Sequence, residues 1–61
     1  MTSINLLRMI SARIAAKRQE INQLTLTQWI ELARSLAVPM NDRDHAAKKL
    51  ALRELKAEGA L

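Results

Sequence analysis

An all-α fold, a compact three-helix domain, is what this sequence predicts, and three observations carry the prediction. The apolar residues are mostly Leu, Ile and Ala, with a single Trp and neither Phe nor Tyr. Gly and Pro occur once each, and both fall where a helix should stop. Apolar positions recur at intervals of three and four, the period of a helix face and not of a strand. Such a composition favours helix over sheet, and 49% apolar residues with charges of both signs are too many for a disordered tail.

The first helix is expected over about residues 3–22, with Thr2 or Ser3 as N-cap, its side-chain oxygen taking an orphan backbone N–H. At about 100° per residue, Leu6, Ile10, Ile14 and Ile21 share a face, with Leu7 at its edge. As heptads, Leu7, Ile10, Ile14, Lys17, Ile21 and Leu24 form a seam that Lys17 interrupts. The stripe is longer than two short partner helices need. Leu7, Ile10, Ile14 and Ile21 are therefore the candidate interface for a second copy or another partner.

The second helix is expected over about residues 26–37. Thr25 and Gln28 have capping-box spacing, and Leu26, Trp29, Ile30, Leu32, Ala33, Leu36 and Ala37 cover one broad side. Trp29, in mid-face, is expected in the core and not as a stacking platform. Pro39 then excludes helix at Val38 and in its own place.

The third helix is expected over about residues 42–58, capped by Asn41, with Asp42 and Asp44 at the positive end of its dipole. Gly59 is the expected left-handed stop, with Ala60 or Leu61 folding back towards Leu55. Ala51, Leu52 and Leu55 form one apolar side. Ala46, Leu50 and Ala57 form another, with no evident place in a three-helix core, and so suit a partner surface. His45, Lys49, Arg53 and Lys56 follow at spacings of four, four and three, which makes one basic stripe with Lys48 beside it. A stripe of this kind neutralises phosphates and releases counterions. It is also what an ordinary solvated helix face looks like.

Sixty-one residues make one small domain, which buries only about 60% of its unfolded surface. Disulfides, metals or oligomerisation commonly make up such a deficit. There is no cysteine and only one histidine, so oligomerisation remains, and a homodimer is expected. The missing cysteine also fits a cytoplasmic protein. Ten basic residues against six acidic give +4, and a basic excess suggests an anionic partner. Residues 1–24 hold four basic residues and one acidic, or +3. Residues 25–40 balance, and residues 41–61 hold five basic and four acidic, or +1. The third helix is thus nearly neutral, and Arg8, Arg13, Lys17 and Arg18 of the first rival it as a binding surface.

Arg8 breaks the first apolar run too early for a transmembrane span or a secretory signal. The acid-free, Arg-rich residues 1–19 superficially match a mitochondrial presequence, as any basic amphipathic helix does. A membrane-surface role for that helix would follow from the same features. The initial Met suggests a whole small protein. No nucleophile triad, phosphate loop or metal-ligand spacing is present, so neither catalysis nor a cofactor or metal is expected.

The segments "LTLTQWIELARSLAVP" and "AAKKLALRELKAEGAL" resemble the core of a helix-turn-helix or winged-helix DNA-binding domain over residues 24–61. Leu32–Ala33, Leu36–Ala37 and Val38 match that family's paired apolar positions before its turn. Ala37 stands where a turn glycine is usual, residues 40–44 are an insertion, and no wing follows Leu61. The resemblance implies that the second and third helices are helix-turn-helix-like. It also implies that Arg43, His45, Lys48 and Lys49 lie near base edges, and Arg53 and Lys56 near phosphates. The leading expectation is a small DNA-binding regulator or accessory factor acting on duplex DNA as a dimer of charge +8. Its rival is a helical protein–protein interaction module, a small subunit, adaptor or inhibitor, that binds no nucleic acid.

Overall fold

Backbone hydrogen bonding closes each predicted helix within a residue or two of its expected ends. The computed structural model describes residues 2–61, with side chains described from residue 4 onward. It contains α1 (Thr2–Asn22), α2 (Leu26–Leu36) and α3 (Arg43–Ala57), and no strand among the described residues. The chain is an all-α three-helix domain. The cap expected from the Thr2 or Ser3 side chain lies outside the described residues.

The capping box at α2 forms as its spacing predicts. Gln28 N–H donates to Thr25 Oγ1 at 3.2 Å, and Thr25 N–H donates to Gln28 Oε1 at 3.0 Å. The helix stops one residue short of the expected end because Ala37 adopts the left-handed conformation, φ 56°. From there the Ala37 amide donates to the Arg34 carbonyl (3.2 Å) and the Val38 amide to the Ala33 carbonyl (3.0 Å). This is the paired-bond stop usually built on glycine, made here on alanine.

Asp42, and not Asn41, caps α3: its Oδ1 accepts from the His45 amide at 3.0 Å. The turn from Pro39, closed by the Asp42 amide donating to the Pro39 carbonyl at 3.1 Å, places the cap one residue later than local spacing suggests. At the far end Gly59 is left-handed as expected, φ 79°. Its amide donates to Lys56 O and that of Ala60 to Leu55 O, the same paired stop as in α2.

Ile21, Trp29, Ala33, Leu36, Val38, Ala46 and Ala47 form the core cluster, with Ile14, Leu24, Leu32 and Leu50 packed against it. Ala51 and Leu55 are also buried. Small side chains at 46, 47 and 51 let neighbouring backbones approach α3 closely. Two expectations about α3 are thereby corrected. Ala46 is fully buried and Leu50 half-buried, so they belong to the core and not to a partner surface, and of that strip only Ala57 is exposed. Leu52, expected inside, is 42% exposed.

Trp29 is the core anchor that its mid-face position predicts, 2% exposed, with Nε1 donating to the Met40 carbonyl at 3.0 Å. That bond ties the α2–α3 connection to the core and satisfies the one polar atom of the indole.

α1 and α3 run antiparallel, since Arg13 meets Glu54 and Glu58 while Arg18 meets Asp44. α3 ends level with Arg13, so the first turns of α1 continue past it as an arm. Nine residues of helix, 4–12, span about 13 Å, and the domain is accordingly elongated, 41 × 18 × 16 Å. On the arm, Ile4, Leu7 and Met9 are exposed.

Candidate nucleic-acid interface

The arrangement of charge follows from the helix pairing. Three of the four acids of residues 41–61 face α1. Arg13 Nη1 lies 2.6 Å from Glu58 Oε2 and 3.2 Å from Glu54 Oε1, and its Nη2 donates to Glu58 Oε1 at 2.9 Å. Lys17 Nζ sits 2.8 Å from Glu54 and 2.9 Å from Glu20. Arg18 Nε donates to Asp44 at 2.8 Å. The fourth acid, Asp42, is the α3 cap.

Hydrogen bonding from Arg13 holds the Glu58 carboxyl below the usual carboxylate range, and the same contact raises the arginine. Lys17 is raised as well, first by its hydrogen bond to Glu54 and then by that to Glu20. These are fork-type and charge-assisted pairs at the surface, so they set helix register more than they set stability.

The basic excess of α1 is therefore largely used within the molecule. Of Arg8, Arg13, Lys17 and Arg18, which rival α3 as a binding surface in the sequence, only Arg8 has no acidic partner among the described residues. α3 shows the reverse. With Asp44, Glu54 and Glu58 paired to α1, its outer arc carries His45, Lys48, Lys49, Arg53 and Lys56 around Leu52. None of these five makes an ion pair among the described residues. A segment of nearly neutral sequence, residues 41–61, thus presents an outer helix face on which the charged side chains are all basic.

Arg43 leaves this set. Its guanidinium lies 5.1 Å from the centre of the Trp29 ring, and Nη1 donates to the Ile21 carbonyl at 3.3 Å. There it combines a cation–π contact with a cation at the C-terminal end of α1, and it is half-buried. Its work is to join α1, α2 and α3, which sequence spacing could not reveal because both partners are remote in the chain.

The proposed interface residues of α1 also divide. Ile21 is 1% exposed inside the core and has no surface to offer a partner. Ile14 is packed against the same core. Leu7, at 64% exposed, and Ile10, half-exposed, lie on the arm. The stripe is continuous in sequence, but α3 covers its C-terminal half only.

Beside the outer face of α3 runs a groove of about 650 Å³ between its last turns and the end of α2. Leu36, Ala37, Leu52 and Leu61 form its apolar floor, while Lys49, Arg53 and Lys56 line its rim. Sequence reading missed this feature because Leu52 was expected in the core. Once Leu52 is placed outside, its spacing from Lys49, Arg53 and Lys56 puts all four on one side of the helix.

No protein-family model, curated protein or solved structure matches the chain. No helix of the described residues is long and apolar enough to cross a membrane.

Proposed function

We propose that this domain binds duplex DNA through the outer face of α3. The observation that carries the reading is the sorting of charge: Asp44, Glu54 and Glu58 are held by α1, and His45, Lys48, Lys49, Arg53 and Lys56 are left together with no ion pair among the described residues. A polyanion is the partner that such a face suits, since each neutralised phosphate releases counterions. The helix-turn-helix resemblance supports the same use of α3. The left-handed Ala37 sits at the position where that family keeps its turn glycine. The connection from Ala37 to Asp42 is longer than the three or four residues typical of that motif, so the support concerns which helix is used, not how deeply it docks.

A dimer through the α1 arm completes the proposal. Leu7 and Ile10 face the same side, Arg8 lies on the flank, and two copies would double the basic charge. The rival reading, a protein-interaction module, draws its support from the same exposed arm. Fluorescence-anisotropy titration of mixed-sequence duplex DNA across a salt series, with sedimentation of the same sample, separates the two. A steep linear fall of log affinity with log salt, from a dimer, is the expected result. Absence of binding at low salt would reject the nucleic-acid reading.

A further inference from the structure

From the groove between α2 and α3 we infer a binding site for a small anionic amphiphile, a carboxylate, sulfate or phosphate carried on a short apolar body. Its floor is Leu36, Ala37, Leu52 and Leu61, and Lys49, Arg53 and Lys56 are its rim. No Asp or Glu side chain lines it, and its three cations make no ion pair among the described residues. A leucine left exposed in the middle of a basic helix face is also unexplained by phosphate contacts alone. Both features fit one ligand, whose apolar part covers Leu52 and Leu61 while its anionic head meets the rim.

Size and charge select this occupant over others. At about 650 Å³ the groove lies within the range of small-molecule sites. With eight lining residues it offers far less than the 20–30 residues a side of a stable protein interface. A second copy of the chain could offer its exposed apolar arm, but that arm carries Arg8 and no acid, which the rim repels. Because Lys49, Arg53 and Lys56 also belong to the proposed DNA face, the ligand would compete with DNA. That consequence, unlike the site itself, rests on the nucleic-acid reading.

The test uses the full chain with methyl-labelled Leu and Ala, titrated with decanoate below micelle formation and, separately, with decyltrimethylammonium. Saturable shifts at the Leu36, Leu52, Leu61 and Ala37 methyls are expected with decanoate and not with the cation. Leu52→Ser should weaken the response about tenfold, as should Arg53→Gln combined with Lys56→Gln; all three positions are exposed, and circular dichroism checks that the helices persist. No saturable shift, an equal response to the cation, or shifts centred on Leu7 and Met9 of the arm would overturn the site. Binding to phosphatidylglycerol vesicles without any response to monomeric decanoate would overturn the free ligand in favour of a membrane headgroup. Methyl shifts with no DNA binding would reject the DNA reading alone and leave the site standing. DNA affinity unchanged by saturating decanoate would reject the shared use of the rim.

Discussion

The two sides of α3 are built from similar residues and behave in opposite ways. Facing α1, Asp44, Glu54 and Glu58 are paired with Arg18, Arg13 and Lys17, and beside them Ala47, Ala51 and Leu55 are buried. Facing outward, Leu52 and His45, Lys48, Lys49, Arg53 and Lys56 stand exposed, with no ion pair among the described residues. The difference shows that net charge per segment misleads in a small helical domain. Residues 1–24 have the larger basic excess in sequence, yet three of their four cations pair with acids. Residues 41–61 are nearly neutral in sequence, yet Lys48, Lys49, Arg53 and Lys56 make no ion pair among the described residues.

Moving a cation from one side of α3 to the other should break the comparison most sharply. Ala51→Lys buries an unpaired ammonium between helices. It is expected to cost several kcal/mol and to unfold a domain of this size, seen as loss of helical ellipticity at 25 °C. Ala57→Lys, on the exposed side, should stay within about 0.5 kcal/mol of the parent. An unchanged melting curve for the Ala51 variant would show that the two sides are not distinct.

Arg43→Ala tests the assignment of one basic residue to the inner set. Losing the stacking on Trp29 and the bond to the Ile21 carbonyl should lower stability by about 1–2 kcal/mol and shift the Trp29 emission. DNA affinity should change less than for Lys49→Ala. Were Arg43→Ala to leave stability intact and remove DNA binding, Arg43 would return to the outer face.

Ala37→Gly should act in the other direction. A left-handed alanine carries a backbone cost of about 1 kcal/mol that glycine does not. The variant should melt a few degrees higher, with the α2–α3 connection unchanged. A lower melting temperature would mean that the alanine is not strained.

The smallest effect concerns the ion pairs themselves. The Glu58 carboxyl is depressed, so its contribution is present above the ordinary carboxylate value and is lost as pH falls through the lower folded value. Lys17 is raised, so its contribution is present below the ordinary lysine value and is lost as pH rises through the higher folded one. The clamp should be intact between about pH 4.3 and 10.4 and weaken on either side, with salt reducing the effect. Glu58→Gln should flatten the acid limb of the melting temperature plotted against pH. An unaltered limb would place the clamp outside the stability of the fold.

Local signals carried much of this into the sequence. Thr25 and Gln28 announce the start of α2, Gly59 the end of α3, and Trp29 the core, because each depends on neighbours within a few residues. The basic stripe at 45, 49, 53 and 56 was legible for the same reason. What sequence could not supply was which arc of α3 turns inward, since Ala46–Leu50 and Ala51–Leu52–Leu55 are equally apolar on the helix circumference. The crossing of three helices decides that, and with it the exposure of Leu52, the groove, the burial of Ile21 and the capture of Arg43.

The most direct measurement compares two double variants that remove the same charge from opposite sides of the pairing. Lys49→Ala with Arg53→Ala strips the outer face, and Arg13→Ala with Arg18→Ala strips the inner clamp. In titrations of duplex DNA across a salt series, the outer pair is expected to reduce the slope of log affinity against log salt by about 1.8, or 0.9 per lost phosphate contact. The inner pair should leave that slope unchanged. A loss of slope with the inner pair and none with the outer would contradict the account and move the interface to α1.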